Sequence, residues 1–527
     1  MIKVDQIKIE IEEDDVLLQK TIAKKLRINT SDIKNISVLK RSIDARKKPT
    51  LFWVYSVAVA LDTSLESKLL KKFSKDNNIN SYKKREYEFQ KIEAKGKAPV
   101  VVGCGPAGLF AAYIFALNGM NPVVFERGKM VEERTKDILQ FWETGVLNTA
   151  SNVQFGEGGA GTFSDGKLNT LVNDKQGRNT FVLETFVKFG APSNILYDSK
   201  PHIGTDILKT VVANMRKEIE RLGGEFHFNC QVNDFIIEDG KIVGIITDEK
   251  QYSCDTVVLA IGHSARDTFK TLYNKGFAME AKDFAVGFRI EHPQSMISEI
   301  MYGPKFKKLE PAPYKLAANL ANGRGVYSFC MCPGGYVVNA SSEANKLVVN
   351  GMSYSKRDSS NANSAIVVSV GANEFDKTNP LSGIEYQRSI EAKAYELCNG
   401  KIPQQLFGDY KNGCLTKAYG DFGSQTKGET DFGLLSDIYS KDINASIIEA
   451  MEQFGHKING FDRDDAILSG IESRTSSPVR INRNELFQSN ISGLYPCGEG
   501  AGYAGGITSA AMDGLKVSEA VIRNKNN

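Results

Sequence analysis

The 527-residue chain lacks the features that mark disulfide-linked, metal-binding and membrane-spanning proteins. Its eight cysteines are scattered, with no CxxC and no paired spacing typical of metal ligands, so we expect reduced, mostly inert thiols and no metal site. The first fifteen residues are charged throughout and lack the apolar core of a signal peptide. The apolar run at 51–61 is too short to span a bilayer. These absences predict a cytoplasmic protein with no membrane partner.

The net charge of +3 is too small to create an overall field that attracts nucleic acid. The charge is nevertheless uneven, because residues 1–97 carry 22 Lys and Arg against 14 Asp and Glu, and the remainder carries 44 against 49. This +8/−5 division predicts a separate basic domain at residues 1–95. Its pattern of strands and helices, with a last strand at 82–89, has the βαββαβ order of a ferredoxin-like fold. No aromatic RNA-binding signature accompanies it, so the pattern favours a solvated docking domain over a nucleic-acid partner.

The stretch 98–128, APVVVGCGPAGLFAAYIFALNGMNPVVFERG, carries the most specific motif. An apolar strand leads into Gly103-x-Gly105-x-x-Gly108 and a helix, and a second strand ends at Glu126. The first glycine permits a tight turn, the second lets backbone approach a pyrophosphate, and the third allows close helix packing. The helix N-terminus would bind the phosphates, and Glu126 would accept hydrogen bonds from ribose hydroxyls. The stretch predicts a dinucleotide site but does not choose between NAD and FAD.

A second glycine-rich segment, SNVQFGEGGAGTFSDGKL at 151–168, has five glycines in eighteen residues. Long loops of this kind in compact domains are usually functional, although a flexible surface loop is the alternative. Its apolar residues favour burial, and we predict a second backbone cradle for the cofactor. The candidate members of this cradle are Gly158, Gly159, Gly161, Thr162 and Ser164.

The order of elements after this loop distinguishes FAD from NAD. A helix at 205–222 is followed by short alternating pieces across 225–248, which predict a three-stranded meander. The apolar strand TVVLAIG follows at 256–262. A plain NAD-binding domain continues with βαβ units, whereas FAD-binding domains insert a meander here. The sequence therefore predicts FAD.

The C-terminal segment supplies a last strand at 491–497, the turn Gly498-Glu499-Gly500 and a helix that begins near Gly506 and Ile507. We expect Glu499 or its backbone to hold the ribityl or pyrophosphate part of the cofactor. The helix would aim N–H groups at the flavin N1/C2=O edge, where negative charge appears on reduction.

The length allows about three domains, and we predict an α/β fold with an interrupted FAD-binding domain. A Rossmann-like unit at 98–282 and 471–527 would enclose an inserted mixed, largely antiparallel α+β substrate domain at 283–470. A polar linker at 91–97 would connect it to the ferredoxin-like N-terminal domain.

The sequence offers fewer candidates for catalytic residues than for cofactor-binding residues. Cys330 and Cys332 alternate in a predicted strand, which would place both sulfurs on one face, where a thiolate could serve as proton donor or redox partner. Buried packing of two inert thiols is the alternative. Arg357 could clamp a substrate carboxylate or simply be solvated. The other candidates are His263, which could instead be a structural cap, together with Arg289, His292 and Arg474.

These motifs together resemble a family of bacterial NAD(P)/FAD-dependent oxidoreductases, the FAD-dependent dehydrogenases, over essentially the whole chain. The resemblance rests on VVGCGPAGLFAA, SNVQFGEGGAGTFSDGKL, TVVLAIGHSARDTF, GRGVYSFCMCPGGYVV, GMSYSKRDSSNANSAIVV and GLYPCGEGAGYAGGITSAAMDG. More distantly the order of elements is similar to that of the glutathione-reductase superfamily, including its fumarate-reductase and aromatic-hydroxylase branches.

The resemblance implies roles for individual residues. Gly262 would lie near the adenosine end, Val232 would meet the adenine through its backbone, and Glu126 with Arg127 would lie at the adenosine ribose. Glu499 would bind the ribityl or phosphate portion, although the family more often has Asp there. The pyrophosphate would be lined by Gly103, Gly105, Pro106, Ala107 and Gly108.

The predicted activity is hydride transfer through flavin N5 between NAD(P)H or another donor and a small organic substrate, by analogy a carbon–carbon double bond. Only Cys104 lies near the first FAD unit, which excludes a disulfide reductase, and no second GxGxxG exists, so NAD(P)H would bind transiently. An FAD-dependent RNA-modifying or RNA-binding protein and a flavin monooxygenase are the alternatives. The sequence indicates neither the substrate nor the oligomeric state.

Overall fold

The computed structural model describes residues 1–11, 15–89, 96–304 and 306–526. Residues 91–95 of the predicted linker lie outside this part of the chain. The N-terminal unit has one four-stranded antiparallel sheet of order β2-β3-β1-β4, and the predicted βαββαβ order is confirmed, with the last strand earlier in the chain than predicted. Its elements are β1 (Ile2–Glu10), α1 (Asp15–Leu26), β2 (Asn35–Asp44), β3 (Phe52–Ala60), α2 (Thr63–Lys72) and β4 (Ile79–Ser81).

The second unit is built on a five-stranded parallel sheet of order β24-β11-β5-β6-β7, which fits a Rossmann-like fold. Short apolar strands with both faces covered are typical of such sheets. Its strands are β5 (Val100–Val102), β6 (Val123–Phe125), β7 (Glu225–His227), β11 (Val257–Leu259) and β24 (Leu494–Pro496). Its helices are α3 (Pro106–Leu117), α4 (Val131–Thr144), α5 (Arg178–Lys188), α6 (Thr205–Arg221), α7 (Arg266–Asn274) and α12 (Ile507–Asn526).

A three-stranded antiparallel meander of order β10-β9-β8 lies between α6 and β11. The alternating pattern predicts that all of 225–234 belongs to the meander, and this prediction was wrong in part. Its first three residues form β7, which pairs with β6 in the parallel sheet. The meander consists of β8 (Val232–Glu238), β9 (Lys241–Thr247) and β10 (Gln251–Ser253).

The third unit contains a mixed sheet of seven strands in the order β14-β15-β18-β13-β22-β19-β21. Its neighbours are antiparallel except β19 and β21, as the sequence predicted for a largely antiparallel sheet. Its elements are β13 (Phe284–Pro293), α8 (Gln294–Tyr302), β14 (Ala317–Asn319), β15 (Gly325–Cys332), β18 (Asn361–Val370), α9 (Ser382–Leu397), β19 (Ile402–Leu406), α10 (Phe407–Asn412), β21 (Thr430–Phe432), α11 (Lys441–Gly455) and β22 (Ile467–Glu472).

Two small sheets complete the structure. The first holds β16 (Tyr336–Asn339), β17 (Val349–Met352) and β20 (Thr426–Lys427), and the second pairs β12 (Met279–Ala281) with β23 (Val479–Ile481). No helix in the described part of the chain combines the length and apolar character that a bilayer span needs.

The segment 82–89 has no regular secondary structure, so the strand predicted there was wrong. Its aromatic residues alternate because they pack on helices of the second unit rather than on a sheet. Tyr87 lies 4.7 Å from Phe181 of α5, centroid to centroid, and its hydroxyl donates to Glu519 of α12 at 2.6 Å. The segment thereby fastens the N-terminal unit to the second unit.

Candidate functional site

The predicted phosphate turn connects β5 to α3. Gly103 has a φ of +101°, and a Cβ there would lie 2.3 Å from the Ala260 carbonyl oxygen. A Cβ at Gly108 would lie 1.9 Å from the Gly103 carbonyl oxygen, so α3 packs directly on the turn. At Gly105 an added Cβ would meet, among the described residues, a single atom within 4 Å, the Gly159 Cα at 3.8 Å. The N-terminus of α3 is therefore open on this side, as a phosphate-binding turn requires.

The second glycine-rich segment lies against this turn. The Gly158 N–H donates to the Cys104 carbonyl oxygen at 2.8 Å. A short 3-10 helix, Ala160–Phe163, follows, and a Cβ at Gly161 would lie 2.9 Å from the Ile507 side chain at the start of α12. The buried Thr162 hydroxyl has no hydrogen-bond partner among the described residues.

The C-terminal segment contacts both the phosphate turn and the second glycine-rich segment. A Cβ at Gly498 would lie 2.7 Å from the Ala107 Cβ, in the first turn of α3. At Gly506, just before α12, an added Cβ would meet no described atom within 4 Å. The Thr508 hydroxyl donates to the Leu168 carbonyl at 2.9 Å, which ties α12 to the end of the second glycine-rich segment. Three segments that are far apart in the sequence thus converge at the N-terminal end of α3.

Glu126 follows β6 and is almost fully buried, with 6% of its surface exposed. Its Oε2 accepts from the Cys104 N–H at 2.8 Å, and its Oε1 accepts from the N–H groups of Gly128 at 3.0 Å and Gly156 at 2.9 Å. The carboxylate thus joins the two glycine-rich segments, a structural role that sequence reasoning missed. A carboxylate has about four lone-pair positions, so Oε2 can accept a further hydrogen bond.

Arg134 of α4 is fully buried and shapes the second glycine-rich segment, although sequence reasoning did not find it. Burial lowers the pKa of its guanidinium to about 10, while the negative charges of Glu126 and Glu157 oppose this shift. Its nitrogen atoms donate to five carbonyl oxygens at 2.7–3.3 Å, those of Asn152, Val153, Gly156, Glu157 and Gly159.

Arg127 and Val232 were predicted at the adenosine end. The Arg127 guanidinium pairs with Asp267 at 2.9 and 3.0 Å and lies 4.3 Å from the centre of the Phe155 ring. Val232 begins β8 and its side chain is buried in the core shared with the parallel sheet. Its predicted contact through the backbone remains a prediction.

The loops after β11 and β24 touch each other. His263 Nδ1 lies 2.8 Å from Glu499 Oε1, and a Cβ at Gly500 would lie 2.4 Å from the Gly262 carbonyl oxygen. His263, predicted as a catalytic candidate, and Glu499, predicted as a cofactor ligand, therefore form one pair.

The two cysteines of β15 do not share a face, and this prediction was wrong. The pairing of β15 with β18 is shifted between Phe329 and Cys332, and Cys330 has a φ of +42°. Cys330 is exposed, whereas Cys332 is fully buried and its thiol donates to the Cys330 carbonyl at 3.2 Å. Burial raises the pKa of the Cys332 thiol, with the cations Lys167 and Arg289 opposing it. Cys332 is thus a protonated thiol at neutral pH.

Arg357 is buried and forms a bidentate ion pair with Asp165. Its Nη2 lies 2.6 Å from Oδ2 and its Nε lies 3.3 Å from Oδ1. Arg474 is also buried and pairs with Glu391 of α9, which in turn pairs with Arg266 of α7. Neither arginine is solvated. Arg474 also donates to the Ser264 hydroxyl at 3.1 Å, which links it to the loop after β11.

The two remaining candidates of β13 are structural. Arg289 is fully buried and donates to Glu472 at 2.6 Å and to the Cys330 carbonyl at 2.6 Å. His292 is fully buried, with Nε2 2.7 Å from the Phe461 carbonyl oxygen.

Comparison with protein families gives two matches. A family described as "FAD-dependent protein, C-terminal domain-like" matches residues 283–475, and a domain of unknown function, DUF8436, matches residues 1–60. An uncharacterized protein of Clostridium beijerinckii is 47% identical over 99% of this chain and 98% of its own length.

More distant similarities concern parts of the chain or the fold. A D-amino acid dehydrogenase of Helicobacter pylori is 22% identical over 34% of this chain and 43% of its own length. The solved glycerol-3-phosphate dehydrogenase of Bacillus halodurans, complexed with FAD, covers 82% of this chain and 65% of its own at 12% identity, with a TM-score of 0.33.

Proposed function

We propose that this chain, which belongs to the same family as the Clostridium beijerinckii protein, transfers hydride between a reduced donor, NADH or NADPH, and a small organic substrate. FAD is its cofactor, and its activity is of the oxidoreductase kind. Bound FAD supplies a hydride acceptor and donor at flavin N5. The residues described above bind and orient the cofactor and shape the space beside it.

The convergence of the three segments at the N-terminal end of α3 carries this proposal. The open backbone at Gly105 and Gly506 and the unpartnered Thr162 hydroxyl fit a bound polar group. A pyrophosphate at the N-terminus of α3 would be stabilised by the free N–H groups of the helix and by the positive end of the helix dipole. The proposed phosphate-binding residues are Gly103, Gly105, Pro106, Ala107, Gly108, Gly158, Gly159, Gly161 and Thr162.

We assign the two ends of the cofactor from the same geometry. Glu126 retains a lone pair on Oε2 for a ribose hydroxyl and holds the surrounding N–H groups in place. The adenosine end would be completed by Arg127, Val232 and Gly262. The ribityl and flavin end would be held by Gly498, Glu499, Gly506 and Ile507, with α12 directing its N–H groups toward the flavin.

Among the catalytic candidates, the geometry favours positioning roles over proton transfer. His263 is held by Glu499, and Cys332 is buried in its neutral form. Cys330 remains the accessible thiol of this region. The reaction that we propose therefore depends on the cofactor and on substrate orientation, and it requires neither thiol.

Anaerobic mixing of the purified holoprotein with NADH or NADPH tests the donor. We expect one of the two to bleach the flavin absorption at a rate that saturates with its concentration, and an organic acceptor to restore it. A flavin that neither nicotinamide bleaches, while dithionite does, would overturn the donor assignment. A preparation that contains no flavin at all would overturn the whole proposal.

A further inference from the structure

The N-terminal unit is joined to the second unit at Arg41 of β2. The Arg41 N–H donates to the Tyr197 carbonyl oxygen at 2.7 Å. In turn, the Ser199 N–H donates to the Arg41 carbonyl oxygen at 2.8 Å. β2 is an edge strand, and the unpaired backbone groups of an edge strand can bind another stretch of chain in this way. The bridge therefore attaches the segment 197–199 to the N-terminal sheet.

The side chain of Arg41 strengthens this bridge. Its guanidinium donates to both carboxylate oxygens of Asp198, from Nε at 2.8 Å and from Nη2 at 3.1 Å. Only 24% of the Arg41 side chain and 17% of the Asp198 side chain are exposed. The guanidinium also lies 4.5 Å from the centre of the Trp53 ring and 5.2 Å from that of Tyr197. A bidentate pair that is stacked on aromatic rings needs the planar guanidinium, and a lysine does not replace it.

The chain that follows this bridge pairs with the end of the second glycine-rich segment. The Leu168 N–H donates to the Pro201 carbonyl oxygen at 3.0 Å. The Ile203 N–H donates to the Gly166 carbonyl oxygen at 3.2 Å. The bridge and this pairing therefore lie on one short stretch of chain, residues 197–203, and a shift at one end of the stretch is transmitted to the other.

The glycine-rich segment is in contact with α12 at the same point. The Leu168 carbonyl oxygen accepts from the Thr508 hydroxyl, in the first turn of α12, at 2.9 Å. We assign the start of this helix to the flavin end of the cofactor. Hydrogen bonds thus connect Arg41, through residues 197–203 and Leu168, to the proposed flavin end.

Two other contacts fix the N-terminal unit in its orientation. Tyr87 is hydrogen-bonded to Glu519 of α12. The Lys48 ammonium donates to the Ile300 carbonyl oxygen of α8, and Leu51 is buried in the core of the third unit. The N-terminal unit is therefore attached to both the second and the third unit, and its edge strand is a rigid support for the chain that it binds.

We propose that Arg41 is a positioning residue of the cofactor site. Its pair with Asp198 holds residues 197–203 in place, and these hold the end of the second glycine-rich segment against α12. Exposed ion pairs contribute little, but this pair is shielded, bidentate and stacked, and it joins two units. The role in cofactor binding rests on the proposed function, whereas the support of the segment does not.

Hydrogen–deuterium exchange of the full-length protein, with and without bound FAD, and fluorescence titration with FAD test this role. The variants are Arg41→Gln and, in the second unit, Asp198→Asn. The matched control is Arg46→Gln, because Arg46 also forms a bidentate pair, with Asp44, but is 81% exposed and joins no second unit.

We expect both variants to exchange peptides that contain Leu168 about tenfold faster than wild type. They should also bind FAD about fivefold more weakly. Exchange in β9, which reports on the fold as a whole, should stay at the wild-type rate. The double variant should bind FAD no more weakly than either single variant, since both act through one contact. Arg46→Gln should match wild type in every measurement.

Exchange near Leu168 that stays at the wild-type rate in both variants would overturn the inference. So would faster exchange spread evenly over β9 and the rest of the chain, or an unchanged affinity for FAD. The measurement without cofactor keeps failure of the proposed function separate. Wild-type protein that binds no FAD, while both variants still speed exchange near Leu168, would contradict the proposed function and support the contact with Arg41.

Discussion

His263 Nδ1 and Glu499 Oε1 lie 2.8 Å apart, although 236 residues separate them in the chain. The pair joins the loop after β11 to the loop after β24, both at the carboxyl ends of parallel strands. Ligands in open α/β sheets bind at this edge. The pair therefore fixes the orientation of Glu499, which we assign to the cofactor.

We expect His263→Phe to weaken FAD binding about five- to tenfold, because Glu499 loses the hydrogen bond that orients it. Fluorescence titration of the apoprotein with FAD measures the dissociation constant. His456→Phe, at an exposed position after α11, is the control and should leave the constant unchanged. Equal affinities for wild type and His263→Phe would remove the positioning role of this pair.

Arg134→Lys should lower the free energy of unfolding by more than about 3 kcal/mol and reduce FAD retention. Lysine has three donors on one atom and cannot reach the five carbonyl oxygens that the guanidinium binds, so buried acceptors lose their partners. Urea unfolding and the flavin content of the purified protein are the measurements. Arg221→Lys, on the exposed end of α6, should change neither quantity, and an equally small effect of Arg134→Lys would contradict the role of Arg134.

Thiol labelling distinguishes the two cysteines of β15. Cys330 and Cys414 are exposed, and the other six cysteines are buried. We expect a maleimide reagent to modify two thiols in the native protein and eight after denaturation, and one fewer in each case for Cys330→Ser. Mass spectrometry identifies the sites. Rapid modification of Cys332 in the native protein would show that it is accessible to substrate after all.

Buried His292 makes stability depend on pH. Burial lowers its pKa from 6.5 to about 4; the charge of Arg463 adds to this effect, and the Phe461 carbonyl and Asp465 oppose it. Since the pKa is lower in the folded state, the unfolded chain binds this proton first as pH falls. The full contribution of His292 to the free energy of unfolding is present above pH 6.5. About 3 kcal/mol of it is lost as the pH falls toward 4.

Urea unfolding at several pH values measures that slope. His292→Phe should unfold at lower urea overall but with a shallower loss of stability between pH 6.5 and 4. His456→Phe should follow the wild-type slope. If His292→Phe loses stability with falling pH as steeply as the wild type, the imidazole is not neutral in the folded protein.

The sequence predicted most of the secondary structure around the cofactor because each element there has a local signature. The glycines at 103, 105 and 108, the apolar strand before them and the acidic residue after β6 are specific to strand–turn–helix geometry. The mixed third sheet was predicted from short alternating strands. The strand prediction at 82–89 was wrong because the aromatic side chains of this irregular segment pack on neighbouring helices. Their alternation gives the same sequence pattern as a strand.

Contacts between distant segments were not predictable in the same way. No local pattern shows that the carboxylate of Glu126 binds the N–H of Gly156, or that Arg357 pairs with Asp165. Arg134 did leave a signal, because it falls on the same face of α4 as Val131 and Ile138, where an apolar residue is expected. The bulge that separates Cys330 from Cys332 left none, because strand alternation assumes an unbroken ladder.

The central claim is that the glycine-rich segments and the start of α12 enclose one FAD at the N-terminus of α3. Measurement of the flavin bound per chain in wild type, Gly105→Ala and Gly423→Ala tests it most directly. Both substitutions add one methyl group without steric conflict, the second on the exposed surface. We predict about one FAD per chain in wild type and Gly423→Ala, and at least tenfold weaker binding in Gly105→Ala. Equal FAD binding by all three proteins, or no FAD in any of them, would contradict the claim.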